Sequence, residues 1–157
     1  MSDIDTIVAL YGDMLYRICL FSLRSRADAE DALQETYLKY IRKQPEFKSE
    51  EHCKAWFIKV AMNQCRDILR RNRIRAAENI DRIADIYPSE SFSDEEGVVF
   101  EILMHLPSKY SSVMILHFVE GYDYKTIASM IGRTESAIKM RIQKGRRLFE
   151  QQYRKEI

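Results

Sequence analysis

The sequence predicts an all-α protein: two small helical domains joined by an acidic linker, the C-terminal one a helix-turn-helix. Three observations carry this. Apolar residues recur at three- and four-residue steps along most of the 157 positions, as one face of an α-helix requires. No long alternating run demands a sheet. Pro45, Pro88 and Pro107, together with Gly97, Gly121 and Gly132, fall between the periodic stretches, where helices stop.

The elements follow in order. Ile7, Tyr11, Met14, Ile18 and Phe21 make the first stripe. Leu33, Tyr37, Tyr40 and Ile41 make the second, behind Asp28, Glu30 and Asp31, acids that suit a helix N-terminus. Phe57, Val60, Ala61, Ile68 and Leu69 make the third. Ala77 to Gly97 is acidic, weakly periodic and interrupted by Pro88 and three serines; it reads as a linker with a helical turn around Ile80 to Ile86. The domains are therefore expected at 1–76 and 97–157, with the linker at 77–96. Val99, Ile102, Leu103 and Leu106 give a fourth stripe; Val113, Met114 and Phe118, beside Ile115 and Leu116, give a fifth. Gly12 and Gly145 fall inside helices, where each costs about 1 kcal/mol relative to Ala, so each needs a packing reason.

The net charge of +1 gives no whole-chain argument for a nucleic-acid partner, but the charge is segregated. Lys59 to Arg75 holds six basic residues against Asp67. Arg133 to Lys155 holds eight against Glu135 and Glu150, and Glu78 to Glu96 holds seven acids against Arg82. Cys19, Cys53 and Cys65 lack CxxC spacing and read as buried or half-buried thiols of a reducing cytoplasm; His52 beside Cys53 lacks the second pair a metal site needs. No cofactor or metal is implied. His52, His105 and His117 are isolated, and no catalytic spacing or glycine-rich phosphate loop is recognisable, so an enzyme is not expected. MSDIDT lacks the basic start of a secretory signal. No apolar stretch is expected to approach the ~20 residues of a membrane span, so membrane insertion is not expected either.

The densest signal lies between Gly121 and Arg147. Tyr124, Ile127, Ala128 and Ile131 form one apolar face, Asp123 suits its N-cap, Gly132 its turn, and Thr134 the N-cap of the next helix. Ile138, Ile142, Gly145 and Phe149 line the inside of that next helix. Ser136, Lys139, Met140, Gln143 and Arg147 recur on the opposite face. Such a helix fits a DNA major groove, where Lys, Arg and Gln read base edges and a thioether touches a thymine methyl. Arg141, Lys144 and Arg146 flank the face and suit phosphates, which position a protein without reading sequence.

With these residues in view, the segment Leu106 to Phe149 resembles the C-terminal promoter-reading domain of bacterial sigma factors of the extracytoplasmic-function group. Leu106-Pro107, Glu120-Gly121, Ile127-Ala128 and Gly132 stand where that family has its Leu-Pro, Glu-Gly, Ile-Ala and turn glycine. DAEDALQETYLKYIR (Asp28 to Arg42) and AWFIKVAMNQCRDILRRNR (Ala55 to Arg73) resemble two helices of the family's N-terminal domain. Together the matches cover nearly the whole chain in the family's order. Ser136-Ala137-Ile138 departs from the family's frequent Gly-Thr-Val, and Lys109-Tyr110 and Ser111-Ser112 replace a stretch that commonly carries Arg.

The resemblance implies an alternative sigma factor: a cytoplasmic, non-catalytic subunit that binds core RNA polymerase, directs it to two promoter elements and assists opening. It implies core-polymerase contacts at Asp28, Asp31, Gln34, Glu35 and Leu38. It implies that the loop Phe47 to Lys54 and the helix after it take the minus-ten element, with a base of the melted non-template strand extruded beside Asn63. Lys59, Arg66, Arg70 and Arg71 would track its phosphates, and Lys54 contributes to the element's site as the end of that loop. At the minus-thirty-five duplex it implies base reading by Lys139, Met140 and Gln143, beside Ser136, and backbone contacts by Arg141, Lys144 and Arg147. An anti-sigma factor is a further expected partner. Trp56 reads as core despite its appeal as a stacking platform. A self-sufficient DNA-binding regulator using only the C-terminal helix pair is the alternative; it leaves the acidic helix and the Asn63 helix without a role.

Overall fold

A computed structural model of the chain describes residues 3–75 and 94–156. Among them every regular element is helical, as expected. The chain divides into two compact units, Met1–Ile80 and Asp81–Ile157. The helical turn expected at Ile80 to Ile86, and most of the expected linker, lie outside the described residues.

The first unit is three helices, each packed on the other two. α1 spans Ile4–Leu23, and the Asp3 carboxylate accepts from the Thr6 amide at 2.8 Å to cap it. α2 spans Arg26–Lys43, capped by Ser25, whose hydroxyl accepts from the Asp28 amide at 3.2 Å. α3 spans Glu50–Arg75, with the Ser49 hydroxyl accepting from the His52 amide at 3.1 Å. These bonds satisfy amides that the helix start leaves without a partner. Ile7, Leu15 and Ile18 of α1 and Phe57, Ile58 and Ala61 of α3 are buried in the core, where the two helices pack.

Two expectations need correction here. The buried edge of α2 runs along Ala29, Ala32, Thr36 and Tyr40, whereas Ile41 is exposed and Leu33 and Tyr37 are only half-buried. Small residues bring helices close, and the Thr36 hydroxyl is satisfied by the Ala32 carbonyl at 2.7 Å, so Leu33, Tyr37 and Ile41 are rotated away from the interface while Tyr40 stays on it. The second correction concerns α1, which is long and apolar enough to cross a membrane by length and composition. About half of that stretch is buried against its neighbours, which is how a core helix meets the same test.

In the second unit α4 spans Asp94–His105 and α5 spans Ser108–Met114. α4 begins ahead of the expected boundary, so Asp94, Glu95 and Glu96 belong to the helix and Gly97 lies inside it. Acids in a first turn favour the positive end of the helix dipole. The buried Ser111 hydroxyl donates to the Leu103 carbonyl at 2.8 Å, tying α5 to the end of α4. α5 runs into a π-helical segment, Ile115–Val119, where the Glu120 amide bonds the Ile115 carbonyl at 3.0 Å. The wider turn shifts the helical phase, so Phe118, expected on the apolar stripe, is 51% exposed. Gly121 follows at φ 79°, and His117 Nδ1 lies 2.7 Å from the Tyr122 carbonyl, fixing the entry to the next helix. α6 spans Tyr124–Ile131 and α7 spans Glu135–Glu156.

Both interior glycines have neighbours. A Cβ on Gly145 would stand 2.8 Å from Met114 Sδ and 3.2 Å from Tyr110 Cβ, so α5 crosses α7 at the one position without a side chain. A Cβ on Gly12 would meet Tyr37 Oη at 3.4 Å, an ordinary contact. Opposite outcomes are expected for one substitution. Gly145→Ala loses about 1–3 kcal/mol to overpacking, offset by about 1 kcal/mol of helix propensity. Gly12→Ala is neutral or gains up to about 1 kcal/mol. Urea unfolding followed by circular dichroism should lower the midpoint for the first and leave or raise it for the second.

Candidate polymerase and nucleic-acid interfaces

On α3 the residues Lys59, Asn63, Arg66 and Arg70 follow one another at four, three and four residues, which aligns them along one face. Lys59, Arg66 and Arg70 are exposed and Asn63 is half-buried. Arg70 Nη2 pairs with Asp67 Oδ1 one turn earlier. Lys54, expected to end the loop, lies inside α3 because the helix starts at Glu50; it is half-buried and about 140° around the helix from Lys59. Arg71 lies about 120° around the helix from Lys59, and both it and Arg70 border a groove shared with α2.

The loop before α3 is held by an aromatic wedge. Phe47 stacks on Tyr40 with centroids 6.3 Å apart and meets Trp56 at 5.8 Å and His52 at 5.5 Å. The Lys48 amide donates to His52 Nδ1 at 3.1 Å, which makes that nitrogen the unprotonated one. Phe57 is fully buried behind the cluster, as expected, whereas Trp56 is half-buried at its rim. Cys53 lies below, its thiol pushed up by burial and in contact with Tyr11. All three cysteines are buried and unbridged. Among the described residues no three His, Cys, Asp or Glu side chains are grouped to hold a metal.

Asp31, Gln34, Glu35 and Leu38 line one side of an open groove of about 670 Å³, facing Gln64, Asp67, Arg70 and Arg71 of α3. Leu38 is 48% exposed and supplies the groove's apolar lip. Asp28 stands apart: its carboxylate accepts from Asn72 Nδ2 at 3.1 Å, across the helix pair. Glu35 pairs with Arg42 at 2.8 Å, two turns along the same face. Both partners are well exposed, so the pair is worth little in water and can be exchanged for another cation.

In the second unit the turn is built as the sequence suggested. Asp123 Oδ1 accepts from the Thr126 amide at 2.8 Å, Gly132 takes the left-handed conformation at φ 70°, and the Thr134 hydroxyl accepts from the Ala137 amide at 3.1 Å. Ile138, Ile142 and Gly145 are buried, while Ser136, Lys139, Met140, Gln143 and Arg147 are exposed on the opposite side of α7. Met140 is 69% exposed, a large thioether offered to solvent. Lys144 flanks this face. Arg141 is half-buried at its edge; burial, then the nearby Arg133, lowers its guanidinium below the ordinary value.

The structure adds two residues that periodicity did not single out. Lys109 and Tyr110 of α5 join Met140, Arg141, Lys144 and Arg147 around a pocket of about 440 Å³. Only a departure from the family pattern marked them in the sequence, because their position depends on how α5 crosses α7.

Comparison with known proteins decides what these surfaces belong to. Residues 7–75 match Sigma-70 region 2, and residues 98–149 match Sigma-70, region 4. The chain belongs to the sigma-70 family. Within it, the chain is 25% identical to the RNA polymerase sigma factor SigV of Bacillus subtilis, over 90% of this chain and 85% of that one. It is 25% identical to the ECF sigma factor SigM of Mycobacterium tuberculosis, over 90% and 72%. It is 28% identical to the ECF sigma-E factor of Haemophilus influenzae, over 80% and 75%. Its fold matches the sigma factor RpoE solved in complex with the anti-sigma factor NepR from Bartonella quintana, with a TM-score of 0.81, 22% identity and 98% of each chain covered.

This sigma factor is of the extracytoplasmic-function type, a family of transcription-initiation factors rather than catalysts. Its region 2 match contains the α2–α3 groove and the α3 cation track, and its region 4 match contains the helix-turn-helix. The cap at Asp123 gives a pH test. Its hydrogen bonds to Thr126 hold the carboxyl below its ordinary pKa. A depressed folded-state pKa contributes stability above the unfolded value and loses it as pH falls through the folded one. Wild type should therefore melt above Asp123→Ala at neutral pH, and the gap should close below about pH 4. A gap constant from pH 7 to pH 3 in thermal melts would exclude the charged cap.

Proposed function

We propose that this sigma factor divides promoter recognition between its two cationic faces while the acidic side of α2 holds core RNA polymerase. The observation that carries the reading is the pairing of the α3 track with the α7 face in one chain of this family. A regulator acting alone would use α7 and leave the α2–α3 groove idle. Asp31, Gln34, Glu35 and Leu38, with Asp28 at the margin, offer carboxylates and an apolar lip to a basic coiled coil of the polymerase clamp. Arg42 beside Glu35 is the cation such a partner would displace.

Lys59, Arg66 and Arg70 suit the backbone of a melted strand, and half-buried Asn63 offers hydrogen-bonding edges to an extruded base, which must offset a few kcal/mol of unstacking. Lys54 and Arg71 lie off that line; Arg71 suits the polymerase-facing groove better. On α7, Lys139, Met140 and Gln143, with Ser136, read the duplex, and Arg141, Lys144 and Arg147 hold its backbone. Bond formation belongs to the polymerase, so the chain itself catalyses nothing, and it works in the cytoplasm, where polymerase and promoter are. An anti-sigma factor that covers these surfaces is the partner that would hold it inactive; the related fold captured with such an inhibitor supports this.

Run-off transcription on genomic fragments, with and without bacterial core polymerase, tests the reading. Start sites that require both proteins are expected, and their absence would sink it. Tight, specific duplex binding by the chain alone would favour the self-sufficient regulator. Lys139→Ala should weaken one promoter more than others. Lys144→Ala should weaken all alike and lower the log–log salt slope by about 0.9, one phosphate's worth. Filter binding across salt separates them; identical sequence profiles would remove Lys139 from base reading.

A further inference from the structure

We propose that Lys109 and Tyr110 of α5 form, with Lys144 of α7, a jaw that grips a single backbone phosphate of duplex DNA beside the base-reading face. The inference rests on reading α7 as the duplex-facing helix and adds a second element to that contact.

The geometry is as follows. Lys109 Nζ lies 5.1 Å from the centre of the Tyr110 ring and Lys144 Nζ lies 5.8 Å from it, so two ammonium groups from different helices converge on one aromatic ring. The ring itself is held in place: Tyr110 is 6% exposed, and its Cβ abuts the site of Gly145. Burial raises the phenol's pKa, but hydrogen bonding to Lys144 and the charges of Lys109 and Lys144 outweigh it and leave the phenol below its ordinary value. The pocket they border contains four cationic side chains, Lys109, Arg141, Lys144 and Arg147, and no carboxylate. Arg141 already carries a pKa lowered by burial and by Arg133.

Gathering like charges without an acid costs free energy, and an anion in the pocket relieves it. The anion's chemistry follows from the donors. Two ammonium groups act as point charges without the planar fork that selects a carboxylate, and a phenol hydroxyl donates one further bond, which suits the several oxygens of a phosphodiester. Its place follows from the rim. Met140, Gln143 and Arg147 belong both to the pocket and to the exposed reading face, so a phosphate here lies on the strand bordering the groove that α7 enters. The jaw would then fix the depth and tilt of α7, and the sequence-reading residues would act from a set position.

The experiment uses the full chain assembled with core polymerase and a linear duplex carrying a promoter recovered in the run-off assay. Filter binding is followed across salt for wild type, Lys109→Ala, Lys144→Ala, the double variant and Tyr110→Phe. Each lysine variant should bind about 3- to 10-fold more weakly, alike on every promoter tested. Each should lose about 0.9 from the log–log slope, and the double variant should also lose about 0.9, because both lysines serve one phosphate. Tyr110→Phe, which keeps the ring against Gly145, should weaken binding about 3-fold with an unchanged melting temperature. One neutral methylphosphonate in the duplex, at one position, should erase the difference between wild type and Lys109→Ala. A slope loss of about 1.8 in the double variant would put the lysines on separate phosphates and overturn the jaw. So would unchanged binding by Lys109→Ala while Lys139→Ala keeps its promoter-selective defect. If wild type itself gives no core-dependent binding, the reading of α7 falls, and the jaw with it.

Discussion

An ammonium or guanidinium cannot follow an apolar helix face into a core, because stripping its water costs several kcal/mol per ion. α3 and α7 are both organised by that constraint. Each is the long helix of its unit, and each must pack a core on one side while carrying the unit's cations. With 3.6 residues per turn the two demands separate onto opposite faces. Phe57, Ile58, Ala61 and Ile68 turn inward on α3, and Ile138, Ile142 and Gly145 do so on α7. Lys59, Arg66, Arg70, Lys139, Lys144 and Arg147 are left exposed in rows. The two cationic surfaces are thus the outer sides of the helices whose inner sides hold the units together.

That arrangement places a demand on the shorter helices: they must cover the core without screening the cations. In the first unit α2 does so with Ala29, Ala32 and Thr36, small enough for close approach, while Asp31, Glu35 and Leu38 stay accessible along the groove it shares with α3. In the second unit α5 crosses at Gly145, with Met114 Sδ and Tyr110 Cβ filling the space a side chain would take. The close crossing brings Lys109 beside α7. The π turn at Ile115–Val119 then re-aims the chain, and the left-handed Gly121 and Gly132 set the entry and exit of α6. Gly132 matters most, since the direction of α7 follows from a backbone conformation that a side chain makes costly.

Legibility in the sequence followed from how local each feature is. The caps at Asp123 and Thr134 and the turn at Gly132 depend on residues within four positions of one another, and all three could be read directly. The exposed face of α7 was also readable, because its spacing is fixed by the helix alone. The buried α2 edge shares only Tyr40 with the bulky stripe of the sequence, because close helix packing selects small residues whatever the spacing of large ones. Phe118 was misplaced because a π turn changes the phase of the stripe without a distinctive residue to announce it. The loop expected to run to Lys54 is shorter because α3 starts at Glu50, where the Ser49 hydroxyl caps it by accepting from the His52 amide.

By itself, then, the sequence determined the helical class, the two-part organisation, the family resemblance and which residues of α7 face outward. These rest on periodicity and short-range chemistry, which a single helix or turn expresses wherever it is placed. Only the tertiary structure decided which acids of α2 share a groove with Arg70 and Arg71, that Phe47 wedges the loop ahead of α3, and that Lys109 and Lys144 meet at Tyr110. Those are meetings between residues far apart in sequence. They depend on crossing points such as Gly145, where the fit between two surfaces, and no local propensity, sets the distance.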